Sequence, residues 1–217
     1  MEPHLDRLVG TLEPNRRPDA ELTSYRTLRR VVGLLGVALP VVLALWGFYL
    51  QQRFQVLPSI SDYYALRTRD ALVGVLFTIA WFLFTYHGYD RQDNIAGNLA
   101  CVFALGVALF PNAGPYAWPM IHFVSAAALF LVLAYFSLFL FTKTGGTPTA
   151  QKLTRNRIYR GCGITIVSCI VLLGALHAAG ADTPVRRFAP VFLLEAVALW
   201  AFGFSWFVKG ETLFKDQ

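Results

Sequence analysis

The sequence predicts an all-α integral membrane protein, a bundle of six transmembrane helices with both termini cytoplasmic. Three observations predict this class. Of the 217 residues, 56% are hydrophobic and only 15% are charged, whereas a soluble domain carries roughly a quarter charged residues. Apolar runs long enough to cross a bilayer recur along most of the chain. The Lys and Arg residues lie mainly in alternate connections between these runs.

The apolar runs divide the chain into three parts: a basic N-terminal tail (1–30), a transmembrane domain (31–208) and a short C-terminal tail (209–217). The six spans are predicted at residues 31–50, 70–88, 95–111, 120–142, 161–180 and 188–208. The end of the first tail, "AELTSYRTLRR", has the pattern of a short surface helix. Because no soluble domain of useful size is left over, any function is expected in or beside the bilayer.

The spans differ in composition along the chain. The first contains Pro40, which predicts a kink, and the second opens with Asp70, which suits the positive end of a helix dipole. The third has a small-residue face for close helix packing, formed by Gly97, Cys101, Ala104 and Ala108. The fourth begins with "WPMIHFV", the fifth follows a basic connection, and the sixth contains one carboxylate. Tyr86 and Trp206 are predicted interfacial anchors at span ends.

Charge distribution predicts the orientation. Of the 19 Lys and Arg residues, 14 lie in segments on the same side as the termini and 5 lie on the other side. Positive residues concentrate on the cytoplasmic side of membrane proteins. The count therefore predicts that both termini are cytoplasmic. The expected location is a plasma membrane or a bacterial inner membrane. The net charge of +6 needs no nucleic-acid partner, since no basic helix or aromatic-basic stripe lies outside the spans.

The first outer loop, "VLPSISDYYALRTRD" (residues 56–70), is unusually polar for this chain. Ser59, Ser61 and Asp62 have side chains that accept hydrogen bonds from the first amides of a helix. Arg67 and Arg69 are candidate contacts for the phosphate of a lipid headgroup. The loop therefore has both a structural interpretation, as a helix cap, and a binding interpretation.

Two later spans place polar side chains on the same outer side. His122 and Ser125 share one face near the start of span four, and Glu195 lies roughly 10 Å along span six from its outer end. A carboxylate at that depth usually faces a bundle interior or a wet cavity. A polar pocket is predicted from seven residues: Ser59, Ser61, Asp62, Asp70, His122, Ser125 and Glu195. A structural ion pair of Glu195 with an arginine of the loop is the alternative.

These residues resemble the DRAM-type family, which groups autophagy modulators with membrane proteins that remodel GPI-anchor lipids and regulate phospholipid asymmetry. The resemblance rests on "PSISD" in the first outer loop, Asp70 opening span two, His122 early in span four, and "EAVALWAFGFSWF" from Glu195. An uncharacterised bacterial six-helix family with the same plan is similar too. The resemblance implies a lipid-linked membrane role. Tyr63 and Tyr64 stand where that family has a turn of the Thr-Gly type.

The first functional hypothesis is lipid binding or lipid regulation at the outer pocket, without a cofactor. Membrane lipids are the expected partners, and a second copy of the chain or another membrane protein is a further candidate. The alternative is an intramembrane metal-dependent lipid hydrolase or acyltransferase, similar in outline to the CREST hydrolases. Zinc would then be held by His122, Asp62 and Glu195, with one position open for water. The H-x-x-x-H pair of those enzymes is absent from the sequence.

Overall fold

The protein is all-helical in the computed structural model, which describes residues 18–86, 88, 90–180 and 188–210. No strand occurs within these ranges. The helices are α1 Pro18–Gln51, α2 Arg69–Phe84, α3 Arg91–Leu109, α4 Pro119–Tyr135, α5 Ala150–Ala178 and α6 Pro190–Lys209. A 3-10 turn at Ser61–Ala65 precedes α2, and a π-helical segment at Phe136–Leu140 extends α4.

Five of the helices are long and apolar enough to cross a membrane: α1, α3, α4 with its π-helical extension, α5 and α6. The all-α prediction is confirmed, and these five helices are consistent with a multi-pass membrane protein. α2 has 16 residues, so it spans about 24 Å, against about 30 Å for a typical hydrocarbon core. The sixth crossing and the cytoplasmic position of the termini stay predictions.

Three helix bounds differ from the prediction. α1 begins at Pro18, so the predicted surface helix is continuous with the first span. α5 begins at Ala150, well before residue 161, because Thr149 caps it by accepting from the backbone N–H of Lys152 at 3.1 Å. α2 ends at Phe84, not at residue 88. The chain must turn there because α3 begins with its own cap at Asp90.

The helices form a closed ring in chain order. Each helix packs against the next, and α6 packs against α1. We call the end that carries residues 52–68 the loop end, and the opposite end, where α1 begins and α6 ends, the terminal end. The small-residue face predicted for α3 is confirmed, since Gly97, Cys101, Ala104 and Ala108 are all buried.

An aromatic cluster fills the ring near the terminal end. The indole of Trp206 makes edge contacts with the rings of Tyr86 and Phe141 at 5.2 Å between centroids, and it also contacts Phe136 and Phe202. Tyr86 is 4% exposed and Trp206 is 1% exposed. The prediction that these two residues are interfacial anchors is therefore wrong: their apolar rings gain more by filling the centre of the bundle.

The turn between α2 and α3 holds an ion pair with the residue that follows α4. Asp90 caps α3 by accepting from the backbone of Gln92 and Asp93, and Lys143 Nζ donates to Asp90 Oδ2 at 2.8 Å and to Asp93 Oδ2 at 3.3 Å. The hydrogen bond from Lys143 lowers the pKa of Asp90 below its ordinary value of 3.8. Asp90 therefore stabilises the fold most fully when it is ionised in both folded and unfolded states.

We expect the ion pair of Asp90 with Lys143 to contribute less to the free energy of unfolding as the pH falls into the acid range. Because the pKa of Asp90 is lower in the folded protein, its contribution is complete above about pH 3.8 and is lost as pH falls through the folded value. Lys143→Gln should lower the melting temperature in detergent at pH 7, and the difference from wild type should shrink at lower pH. Arg91→Gln, an exposed change in the same turn, should show no such pH dependence. An unchanging difference between wild type and Lys143→Gln down to pH 3 would contradict this.

Candidate functional site

The loop end carries most of the polar residues singled out in the sequence. The chain between α1 and α2 is held there by Tyr63, whose side chain is fully buried. The ring of Tyr63 packs on Phe192 of α6 and against Gly47 of α1. Its hydroxyl accepts a hydrogen bond from the backbone N–H of Leu57 at 3.2 Å. Burial raises the pKa of the Tyr63 phenol, so the hydroxyl stays neutral at physiological pH.

Glu195 joins α6 to the same loop. Its Oε2 accepts a hydrogen bond from the backbone N–H of Ile60 at 2.7 Å. One turn earlier, the backbone N–H of Phe192 donates to the carbonyl of Pro58 at 2.9 Å. Glu195 is partly buried, and its carboxylate is directed to the loop between α1 and α2. The alternative prediction was an ion pair of Glu195 with an arginine of the loop. The partner in the structure is the backbone amide of Ile60 instead.

Ser61 joins the loop to α4. Its Oγ lies 2.7 Å from Nε2 of His122, and Nδ1 of the same ring lies 2.7 Å from the carbonyl oxygen of Phe110. Since a carbonyl oxygen only accepts, Nδ1 carries a proton and donates it. In the neutral imidazole, Nε2 is therefore the acceptor and the Ser61 hydroxyl is the donor. His122 is 2% exposed, so the loop and α4 enclose this pair.

Asp62 organises the loop itself. Its Oδ2 accepts from the backbone N–H of Ser59 at 2.9 Å, and the hydroxyl of Ser59 accepts from the backbone N–H of Asp62 at 3.2 Å. The other carboxylate oxygen accepts from the amide of Asn112 at 3.2 Å. The reciprocal Ser59–Asp62 pair resembles a capping box at the start of the 3-10 turn. The capping interpretation applies only to this pair, since Ser61 bonds to His122 and Ile60, the residue before the 3-10 turn, makes no side-chain cap.

We call these five side chains the loop network: Ser59, Ser61, Asp62, His122 and Glu195. The remaining predicted residues lie outside it. Ser125 is buried one turn after His122, where its hydroxyl packs against Gly106 of α3. Asp70, Arg67 and Arg69 are exposed beside the loop, and the guanidinium of Arg69 lies 4.7 Å from the ring centre of Tyr64.

The sequence reasoning missed three participants. Phe110 contributes only its backbone carbonyl, for which its side chain gives no signal. Asn112 follows "FP" in a short connection and looks like an ordinary turn residue, although an amide beside the outer ends of two spans could have suggested a partner for Asp62. Tyr63 departs from the pattern of the DRAM-type family at this position, and the sequence gives no role for it. In the structure it is the main anchor of the loop.

The predicted zinc ligands do not form a metal site. Among the residues that the structure describes, no three His, Cys, Asp or Glu side chains form a group suited to a metal ion. His122 uses both ring nitrogens in hydrogen bonds, and Glu195 is directed to a backbone amide. For these three residues to hold zinc, one imidazole nitrogen of His122 would have to be free and the two carboxylates would have to converge on the same point. In this arrangement the three predicted side chains do not fit a zinc ion.

Comparisons with protein-family models, with curated proteins and with solved structures gave no match. The resemblance to the DRAM-type family therefore stays a prediction. What the chain does must be argued from its own geometry.

Proposed function

We propose that this chain is a six-span membrane protein that binds a phospholipid at its loop end, on the outer side of a plasma or bacterial inner membrane. The two exposed arginines beside the loop, Arg67 and Arg69, would hold the phosphate. The loop network would fix the loop against α4 and α6. Both termini would lie in the cytoplasm, as the distribution of Lys and Arg predicts.

The observation that carries this proposal is the rigid attachment of a short cationic segment at a helix start. The backbone of the 3-10 turn is bonded to Glu195 and, through Ser61, to His122. Thr68, the residue before α2, is fully buried, and its hydroxyl donates to the carbonyl of Tyr63 at 2.9 Å. Arg67 and Arg69 flank Thr68, so their backbones are fixed. Two guanidiniums that extend from one fixed segment suit a phosphate.

The surrounding surface also suits a lipid. Large apolar side chains on the helices next to the loop end are exposed, among them Tyr49, Trp118 and Met120. Aromatic rings with a polar edge favour the depth of lipid headgroups. An acyl chain would pack on this surface while its phosphate contacts the arginines.

Native mass spectrometry of protein purified in mild detergent tests the proposal. Wild type should retain phospholipid, and the double variant Arg67→Gln/Arg69→Gln should retain several-fold less. His122→Ala and Glu195→Ala should also lower retention, because each removes a hydrogen bond that holds the loop presenting the arginines. Arg53→Gln is the matched control, since Arg53 is an exposed arginine of the same connection. Equal retention in wild type and every loop-end variant would refute phospholipid binding at this end.

A second candidate function follows from the Ser61–His122 pair alone. A nucleophile within hydrogen-bond reach of a base, whose other nitrogen is oriented by a third group, is the arrangement of covalent acyl transfer. Ser61 Oγ would bond to the acyl carbon of a lipid ester while its proton moves to His122 Nε2. The ester C–O bond then breaks, the leaving alcohol takes that proton, and water releases the fatty acid with the same base. No metal enters this scheme.

Labelling with a fluorophosphonate tests this second candidate, because the probe phosphonylates an activated serine. Wild type should be labelled, and Ser61→Ala should lose nearly all of the label, because the probe forms its covalent bond with that hydroxyl. Ser59→Ala, which changes the neighbouring serine of the same turn, should keep it. Labelling that survives Ser61→Ala, or no labelling of wild type, would leave His122 as a purely structural partner of the loop.

A further inference from the structure

A second polar site lies at the terminal end, across the bundle from the loop network. A cavity of about 470 Å³ opens there between the start of the chain's first helix, the connection before α5, and the end of α6. Five cationic side chains line it: Arg29, Lys143, Lys152, Arg155 and Lys209. Among the described residues that line it, none is Asp or Glu. Its volume lies within the range of about 300–1,000 Å³ that is typical of small-molecule sites.

Two of the five cations have little access to water, and the other three are half-buried. Arg155 and Lys209 are each 7% exposed. A cleft lined by side chains of one sign of charge raises the local concentration of the opposite ion, so this lining favours an anion. Asp90 and Asp93 pair with Lys143, and Asp93 also interacts electrostatically with Lys209.

Arg29 provides an independent indication of a ligand. Its guanidinium lies over the ring of Tyr25, 4.4 Å from the centroid. Its Nη1 donates to the carbonyl of Lys209 at 3.5 Å. Its Nε is buried and has no hydrogen-bond partner among the described residues. Because this Nε has almost no accessible surface, a ligand in the cavity would be met by the remaining Nη donors of the guanidinium.

The connection before α5 adds neutral donors. Thr144, Thr147 and Thr149 line the cavity, and Thr149 is the N-terminal cap of the 29-residue helix α5. The positive end of that helix therefore lies at the cavity wall, where backbone and hydroxyl donors favour anions. Guanidinium, ammonium and hydroxyl groups around one space suit a tetrahedral oxyanion better than a planar carboxylate, because several donors approach from different directions.

We propose that this cavity binds a phosphate group, supplied either by the headgroup of an anionic phospholipid or by a free phosphate compound. The site is separate from the phospholipid site proposed at the loop end. Its position beside the chain's predicted cytoplasmic loops means that the ligand would reach it from the inner leaflet or the cytoplasm.

Binding to the purified protein in neutral detergent tests the proposal in two arms, each with a matched probe. In the first arm, dioleoyl phosphatidic acid is compared with dioleoylglycerol, which has the same chains and no phosphate. In the second, inorganic phosphate is compared with chloride at equal ionic strength. Thermal stability and native mass spectrometry report binding. Stabilisation by phosphatidic acid alone assigns a lipid headgroup, and stabilisation by phosphate in the second arm assigns a free phosphate compound.

Substitutions decide whether the binding lies in the cavity. Lys152→Gln should weaken the affinity about tenfold, the effect of one lost charge-assisted contact. Arg155→Gln should do so as well, and if that buried change prevents folding, Lys152→Gln and Arg29→Gln still carry the test. Arg160→Gln, an exposed change on the same helix, and Arg67→Gln/Arg69→Gln at the loop end should leave this affinity unchanged.

The proposal fails if neither probe binds wild type, or if Lys152→Gln and Arg29→Gln bind as wild type does. It fails equally if Arg160→Gln weakens binding as much as they do, since the effect would then be one of net charge. Because loss in the Arg67→Gln/Arg69→Gln variant reports on the loop end and loss in Lys152→Gln on the terminal end, the two proposals are tested separately.

Discussion

Gly203→Ala is expected to destabilise the bundle by about 1–3 kcal/mol, the cost typical of an inserted methyl group in a packed interior. A methyl group on Gly203 would lie 2.6 Å from the carbonyl oxygen of Gly33 and 3.1 Å from the backbone nitrogen of Val37. The reciprocal change, Gly33→Ala, would place its methyl group 2.7 Å from the carbonyl oxygen of Gly203. These neighbours are backbone atoms, so the two helices must move apart. Small residues permit this close contact between α1 and α6.

Thermal unfolding in mild detergent measures the effect. Gly74→Ala on α2 and Gly161→Ala on α5 are the matched controls, because nothing lies within 4 Å of the added methyl group at either position. Both controls should unfold within a few degrees of wild type, since Ala favours a helix over Gly by about 1 kcal/mol. A Gly203→Ala protein as stable as Gly74→Ala would show that α1 and α6 do not pack as described.

Glu195→Ala is expected to detach the 52–68 loop from α6. The change leaves the Ile60 N–H without the acceptor that it meets at 2.7 Å, and an unsatisfied, partly buried donor costs about 1–3 kcal/mol. Glu195→Gln keeps an oxygen on the side chain and should retain most of the stability. The pair of variants therefore separates the hydrogen bond from the charge.

Limited trypsin digestion reports the loop directly, alongside the melting temperature. The exposed residues Arg53, Arg67 and Arg69 lie along this loop and at its end, so a detached loop should be cut several-fold faster in Glu195→Ala than in wild type. Glu195→Gln should be cut at nearly the wild-type rate. Equal cleavage of all three proteins would mean that Glu195 does not hold the loop.

The sequence was informative wherever a pattern follows directly from burial. Long apolar runs predicted the helices, and the single carboxylate Glu195 marked the junction between α6 and the loop, because a buried ionisable group needs a nearby partner. His122 and Ser61 were both named, although their direct contact was not. Their positions are far apart in the chain, and only the packing of α4 against the loop brings them to 2.7 Å.

Other features depend on contacts that no local pattern encodes. Trp206 and Tyr86 look like interfacial anchors by position, yet the closed ring of helices places them in its centre. The end of α2 is set by the cap that Asp90 makes for α3. The basic cavity has no local signal in the sequence, because its five cations come from four separate segments of the chain. The distribution of Lys and Arg predicts the side of the membrane on which these five cations lie. It does not predict that they line one cavity.

The central claim is that the loop end faces the outside and the basic cavity faces the cytoplasm, since both binding proposals depend on it. We would test it in intact cells with a membrane-impermeant maleimide, in a background where Cys101, Cys162 and Cys169 are Ala. Tyr116→Cys lies in the exposed connection at the loop end, and Gly145→Cys lies in the exposed connection beside the cavity. The account predicts that Tyr116→Cys is labelled in intact cells and Gly145→Cys only after lysis. Labelling of Gly145→Cys in intact cells, with Tyr116→Cys protected, would contradict it.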